Sequence, residues 1–180
     1  QDVVRRFNSR EQRFLIGRAV FALLERTALA AKVSEPELAD LLGDCVRVVA
    51  PEFEGLGRRD ESRIRTLRKL LSRKSLRALE EPAGELARGP VPELARTLQG
   101  MFASGNRAGL LICGDPAVAL TMVLREDPAV ATSKTPESQE MIIRAVRERS
   151  DLRALLIFSV SEELFTLRDK VGPTLPERAV

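Results

Sequence analysis

The stretch Gln12-Arg-Phe-Leu-Ile-Gly-Arg-Ala-Val-Phe-Ala-Leu-Leu-Glu25 decides the fold class of this chain. Its apolar residues recur with helical period and never settle into the two-residue alternation of a strand, so it reads as a helix. At about 100° per residue, apolar side chains cover nearly the whole circumference from Phe14 to Leu24, which predicts a helix placed centrally in a core. Arg18 is the exception. It shares a narrow stripe with Glu11 and Glu25, so a partly buried arginine balanced by those carboxylates is expected.

The rest of the chain follows the same period. Ser9 with Gln12 reads as a capping box that opens the first helix, which is expected to run to about Lys32, because a hydroxyl there can accept an otherwise orphan backbone N–H. Ser34 with Glu37 repeats the signature for a helix ending near Val49 before Pro51, with Pro36 tolerated in the first turn. Phe53 to Gly57 is a loop. Asp60 then caps a basic helix with Ile64, Leu67 and Leu71 on its apolar side, continued or restarted from Ser72. The breaker-rich segment Glu81-Pro-Ala-Gly-Glu-Leu-Ala-Arg-Gly-Pro-Val-Pro92 predicts a variable connection. A helix from Glu93 through Ile112 carries Gly100, Gly105 and Gly109, a spacing that predicts close approach to another helix. Asp115-Pro116 and Thr135-Pro136 each start a further helix, and 151–170 is helical with a break at Ser159 or Ser161. The expected fold is therefore all-α, about seven to nine helices in a single domain over 1–180. Residues 9–126 form its core, 135–171 the C-terminal helices and 172–180 a flexible tail.

Composition narrows the function. With 180 residues, 44% hydrophobic and 31% charged, the chain can bury a core of its own and has no apolar run long enough for membrane insertion. It contains no histidine, which removes the commonest general base and metal ligand. Ser104, Ser159 and Ser161 therefore lack the usual partner for hydrolase chemistry; Lys32, Lys69, Lys74, Lys134 and Lys170 leave a Ser–Lys arrangement open, though nothing in the spacing supports it. Gly105, Gly109 and Gly114 follow no strand and precede no Gly-Lys-Ser/Thr, so they form no phosphate loop. Cys45 and Cys113 are far apart and embedded in apolar sequence, as free thiols of a reducing, cytoplasmic compartment would be. The start at Gln1 reads as a piece of a longer protein.

Charge is regional. Residues 58–77 carry nine Arg or Lys against two acids, a local +7, leaving the remaining residues at −4 against a chain total of +3. Arg65, Arg68, Lys69 and Arg73 mark a possible binding surface there. Nucleic acid is one partner such a stretch could take, but it has no aromatic side chain on which a base could stack. A solvated face or a docking surface for an acidic protein is the better expectation.

Two segments together resemble a known family. Leu15-Ile-Gly-Arg18-Ala-Val-Phe-Ala22-Leu is similar to the helix of M48-type metallopeptidases, where a Gly precedes His-Glu-x-x-His. Asn106-Arg-Ala-Gly-Leu-Leu-Ile-Cys-Gly-Asp-Pro116 is similar to the later helix of that family. The resemblance covers 9–124. Residues four apart on one helix face can both hold zinc while the Glu polarises its water. The resemblance puts Arg18 and Ala22 at the two histidine positions, Ala19 at the catalytic glutamate, Phe102 at the glutamate ligand and Asn106 at the following aspartate. It implies a pseudoenzyme without catalytic residues, metal or cofactor. In that vestigial site, Arg18 would bond to Asn106 and Phe102 would fill volume. The ending Leu152 to Arg168 is similar to the C-terminal part of bacterial tetratricopeptide-repeat proteins. The expected function is a non-catalytic protein–protein interaction or scaffold module of a larger bacterial protein, with nucleic-acid binding through 58–77 as the alternative.

Overall fold

The computed structural model describes residues 6–127, 130 and 139–172. Among these the chain is all-helical, with nine helices and no strand. They are α1 (Ser9–Leu24), α2 (Glu35–Val49), α3 (Glu61–Leu70), α4 (Arg73–Arg88), α5 (Leu94–Cys113), α6 (Pro116–Leu124), α7 (Gln139–Glu148), α8 (Ser150–Ser159) and α9 (Glu162–Val171). The expected helix start at Thr135-Pro136 and the tail 173–180 lie outside the described residues.

Two compact units divide the chain. One comprises 1–27 with 100–180, the other 28–99.

In the first unit α6 packs on α1, α7 and α8, and α8 also packs on α7 and α9. Their common core holds Phe14, Leu110, Leu120, Val123, Leu152, Leu155, Phe158 and Leu164. The cap of α1 lies one residue earlier than expected. The Asn8 side chain accepts from the N–H groups of Arg10 and Glu11, both at 3.0 Å, and Glu11 accepts from the Asn8 N–H at 2.8 Å. This closes a full capping box.

α1 also ends early, at Leu24 rather than Lys32. Arg26 turns left-handed with φ 58°, letting its N–H donate to Leu23 O and that of Thr27 to Ala22 O. This pair of bonds is the Schellman stop, usually made by glycine. Asp115 caps α6 by accepting from Ala117 and Val118 N–H, with Pro116 in the first turn as expected. The break expected at Ser159 or Ser161 falls between α8 and α9, where the Ser161 hydroxyl caps α9.

In the second unit α2 packs on α3 and α4 around Val46, Phe53, Leu56 and Ala83. The Ser34 and Glu37 capping box, and Pro36 in the first turn, are as read from the sequence. Ser72 restarts the chain as α4, which runs through Pro82 to Arg88. The expected variable connection is thus helical over its first eight residues. A proline interior to a helix removes one hydrogen bond, but Leu79, Ala83 and Leu86 pack that helix onto the core beneath it, and packing outweighs the local breaker.

Candidate functional site

The five positions singled out by the resemblance stand in different surroundings. Arg18 is half-buried, its guanidinium carbon 5.7 Å from the Phe14 ring centroid, and it pairs with Glu126 rather than with Glu11 or Glu25. Glu11 is buried and pairs instead with Arg125 at 2.6 Å. Asn106 is buried, and its Oδ1 has no hydrogen-bond partner. The expected Arg18–Asn106 bond is therefore absent: Glu126, a full carboxylate, outcompetes a neutral amide oxygen for the guanidinium. Phe102 is 40% exposed and fills no core volume. Ala19 is exposed and Ala22 half-buried.

What the two segments do share is contact between backbones. A Cβ on Gly17 would lie 2.8 Å from Ala108 O, and one on Gly109 would lie 2.7 Å from the Phe14 ring and 2.9 Å from Phe14 O. Such distances require glycine. Of the three α5 glycines read as packing residues, Gly109 serves this way; among the described residues nothing lies within 4 Å of where a Cβ would stand on Gly100 or Gly105.

The outer side of α1 corrects the expectation of a central helix. Ile16, Val20, Leu23 and Leu24 are 56%, 48%, 69% and 75% exposed. They recur at i, i+4, i+7 and i+8, so they form one continuous stripe, while Phe14 and Gly17 carry the inner side. A helix that is apolar all round has here only one face covered.

The basic surface stands on α3 and α4. Asp60 caps α3 by accepting from Ser62 and Arg63 N–H, and Ile64, with Leu67, faces inward. Arg65, Arg68, Lys69, Arg73, Lys74 and Arg77 are all exposed. Among the described residues none of them forms an ion pair; Arg65 donates only to Glu61 O at 3.1 Å. Two other arginines of the basic stretch behave differently: Arg59 pairs with Glu61 and Arg63 with Asp44.

One polar cluster was not legible in the sequence. Asp44 and Arg47 on α2 are fully buried and paired at 3.0 Å. Arg47 also donates to the carbonyls of Phe53, Leu56 and Gly57, at 2.8, 2.8 and 3.1 Å. Asp44 accepts from Arg63 at 2.7 Å and from the Asp60 N–H at 3.3 Å. Burial pushes the Asp44 carboxyl up, but the bonds from Arg63, Asp60 and Arg47 outweigh it and hold the group below the usual carboxylate range. Three of the Arg47 bonds and the Asp60 N–H bond to Asp44 fasten the 51–60 loop, so the cluster is architecture. An Asp–Arg pair at i, i+3 resembles an ordinary surface pair, and nothing in its spacing announces burial.

Cys45 and Cys113 are free, and burial pushes both up, away from the thiolate form that a nucleophile needs. Among the described residues no group of three or more acidic or cysteine side chains is placed to hold a metal ion, and no helix is long and apolar enough to cross a membrane. Comparison of the chain with family models, with curated proteins and with solved structures gave no match.

Proposed function

We propose that this chain is a non-catalytic protein-interaction module, with a metallopeptidase-like helical scaffold that has lost its zinc ligands, serving a larger bacterial protein in the cytoplasm. The observation that carries the reading is the exposed stripe Ile16, Val20, Leu23 and Leu24 on α1. A continuous apolar stripe on one helix is the surface that an amphipathic helix of another protein covers, with anchors at i, i+4 and i+7. The loss of chemistry is supported by the residues at the former ligand positions: Arg18 is occupied by Glu126, and Ala19, Ala22 and Phe102 cannot ligate. The unactivated free thiols suit a reducing compartment.

Photo-crosslinking tests it. With a photoreactive side chain at Leu24, one protein should be crosslinked in the source cell's extract, and excess unlabelled chain should displace it. A second probe at Glu81, on the exposed side of α4, serves as control. Equal labelling from both positions, or none from Leu24, would defeat the reading, as would Leu23→Ser with Leu24→Ser leaving the crosslinked complex intact.

A further inference from the structure

The unpaired cations of the second unit point to a ligand that the apolar stripe does not. From Arg65 to Arg77, six exposed cations stand on α3 and the start of α4 without a carboxylate partner. Neighbours three and four residues apart on a helix lie about 5–6 Å from each other. Arg65 with Lys69, and Arg73 with Arg77, therefore repel within the isolated chain. An anionic partner would relieve that repulsion.

Three features select the kind of anion. The free cations are followed along α4 by the exposed Glu80, Glu81 and Glu85, so the positive surface is short and closes on negative charge. A nucleic-acid backbone, which favours a long basic track, would meet that acidic end. Residues 58–88 contain no aromatic side chain on which a base could stack. Among the cations, Leu70 is 76% exposed, one apolar anchor of the kind a peptide uses; the other large apolar residues of α3, Ile64 and Leu67, are buried and half-buried. A single exposed leucine gives too little apolar area for a membrane surface, where a whole helix face must be buried.

We infer that the α3–α4 surface, Arg65, Arg68, Lys69, Leu70, Arg73 and Arg77, docks an acidic amphipathic segment of another protein. Its carboxylates, spaced by a helical turn, would pair with the cations while one apolar side chain covers Leu70. This surface belongs to the second unit and the α1 stripe to the first, and the inference does not rest on the stripe.

Fluorescence anisotropy on the full chain tests the inference. The probes are a short synthetic helical peptide with glutamates at i, i+4 beside a leucine, its glutamine counterpart, a mixed-sequence DNA duplex and phosphatidylserine vesicles. The glutamate peptide should bind best, and raised salt should weaken it. The triple variant Arg65→Ala, Lys69→Ala, Arg73→Ala should lose about tenfold in affinity. Leu70→Ser should weaken the peptide while leaving any weak DNA binding unchanged. Substitution of the same three positions by Lys or Arg should retain binding, which separates loss of charge from loss of fold. Equal affinity for the glutamine peptide would overturn the inference, as would tighter binding to DNA or to vesicles than to the glutamate peptide, or a triple variant that binds as the parent does.

Discussion

The two units solve the same problem, fixing a few helices with limited core, by different means. In the first, twelve buried residues among those described, from α1, α5, α6, α8 and α9, form one apolar cluster, and α1 meets α5 backbone to backbone at Gly17 and Gly109. In the second, only Val46, Phe53, Leu56 and Ala83 form the buried apolar cluster. The 51–60 loop is held instead by Arg47, Asp44 and Arg63. A small core can be completed by a polar cluster only when every donor and acceptor is used. One unit is therefore sensitive to volume, the other to charge.

Removing one partner breaks that comparison most sharply. Asp44→Ala leaves the buried Arg47 guanidinium without its counter-ion and Arg63 without its acceptor, and should cost about 3 to 5 kcal/mol. Chemical denaturation followed by hydrogen exchange on α2 is the measurement. Protection should fall in 28–99 first; unchanged protection there would mean that the cluster does not carry the unit.

A single methyl probes both units on equal terms. On Gly43 a Cβ would stand 2.0 Å from Leu56 O and 2.9 Å from the Arg47 Nη1. Neither can move without unfastening the loop, so Gly43→Ala should cost about 3 kcal/mol, the upper end for overpacking. On Gly109 the two nearest atoms belong to the Phe14 ring, a side chain that can tilt, and the backbone Phe14 O at 2.9 Å is met less closely than Leu56 O is on Gly43. The alanine also gains helix propensity. Gly109→Ala should therefore cost about 1 to 2 kcal/mol, and denaturant midpoints of the two variants should keep that order. The reverse order would show that the loop yields more easily than the α1–α5 contact.

Acid distinguishes the units further. The carboxyl of Asp44 is held below its ordinary value, so its contribution is complete above the unfolded carboxylate value of about 3.9. That contribution is lost progressively as the pH falls from there through the lower folded value. The second unit should lose helical protection in that window, and the Asp44→Ala variant should lack this part of the pH dependence. Asp115 and Asp151, also held low by their partners, make the first unit acid-sensitive too. Both are partly exposed, however, and solvent screening lessens what each contributes.

Which parts of this were legible in the sequence follows from how local their causes are. The all-α class, the Ser34, Asp60 and Asp115 caps and the break at Ser161 rest on residues within one turn of each other. The solvent face of α1 was not legible, because periodicity shows that a helix is apolar and not which of its faces finds a neighbour. The Arg18–Glu126 pair joins residues 108 positions apart, and no short-range pattern encodes it. Pro82 was read as a breaker because the apolar face that keeps α4 helical is decided by packing. The basic surface was legible as charge, but only the structure separates the paired Arg59 and Arg63 from the six unpaired cations beyond them.

The smallest expected effect concerns the end of α1, where the stripe stops. Arg26 occupies the left-handed position of the Schellman turn with φ 58°, a conformation that costs a side-chain-bearing residue about 1 kcal/mol relative to glycine. No glycine marks this stop in the sequence, which is why the helix reads as continuing to Lys32. Arg26→Gly removes the backbone strain, and no ion pair is given up, since among the described residues Arg26 makes none. The variant should be more stable by about 1 kcal/mol, less the entropy that glycine adds to the unfolded chain. A thermal midpoint that rises, with helicity unchanged, would place the end of α1 at Leu24 through strain that the fold imposes. A midpoint that falls would instead mean that the arginine side chain stabilises the turn, and so that the first unit, like the second, relies on a charged group to hold a loop.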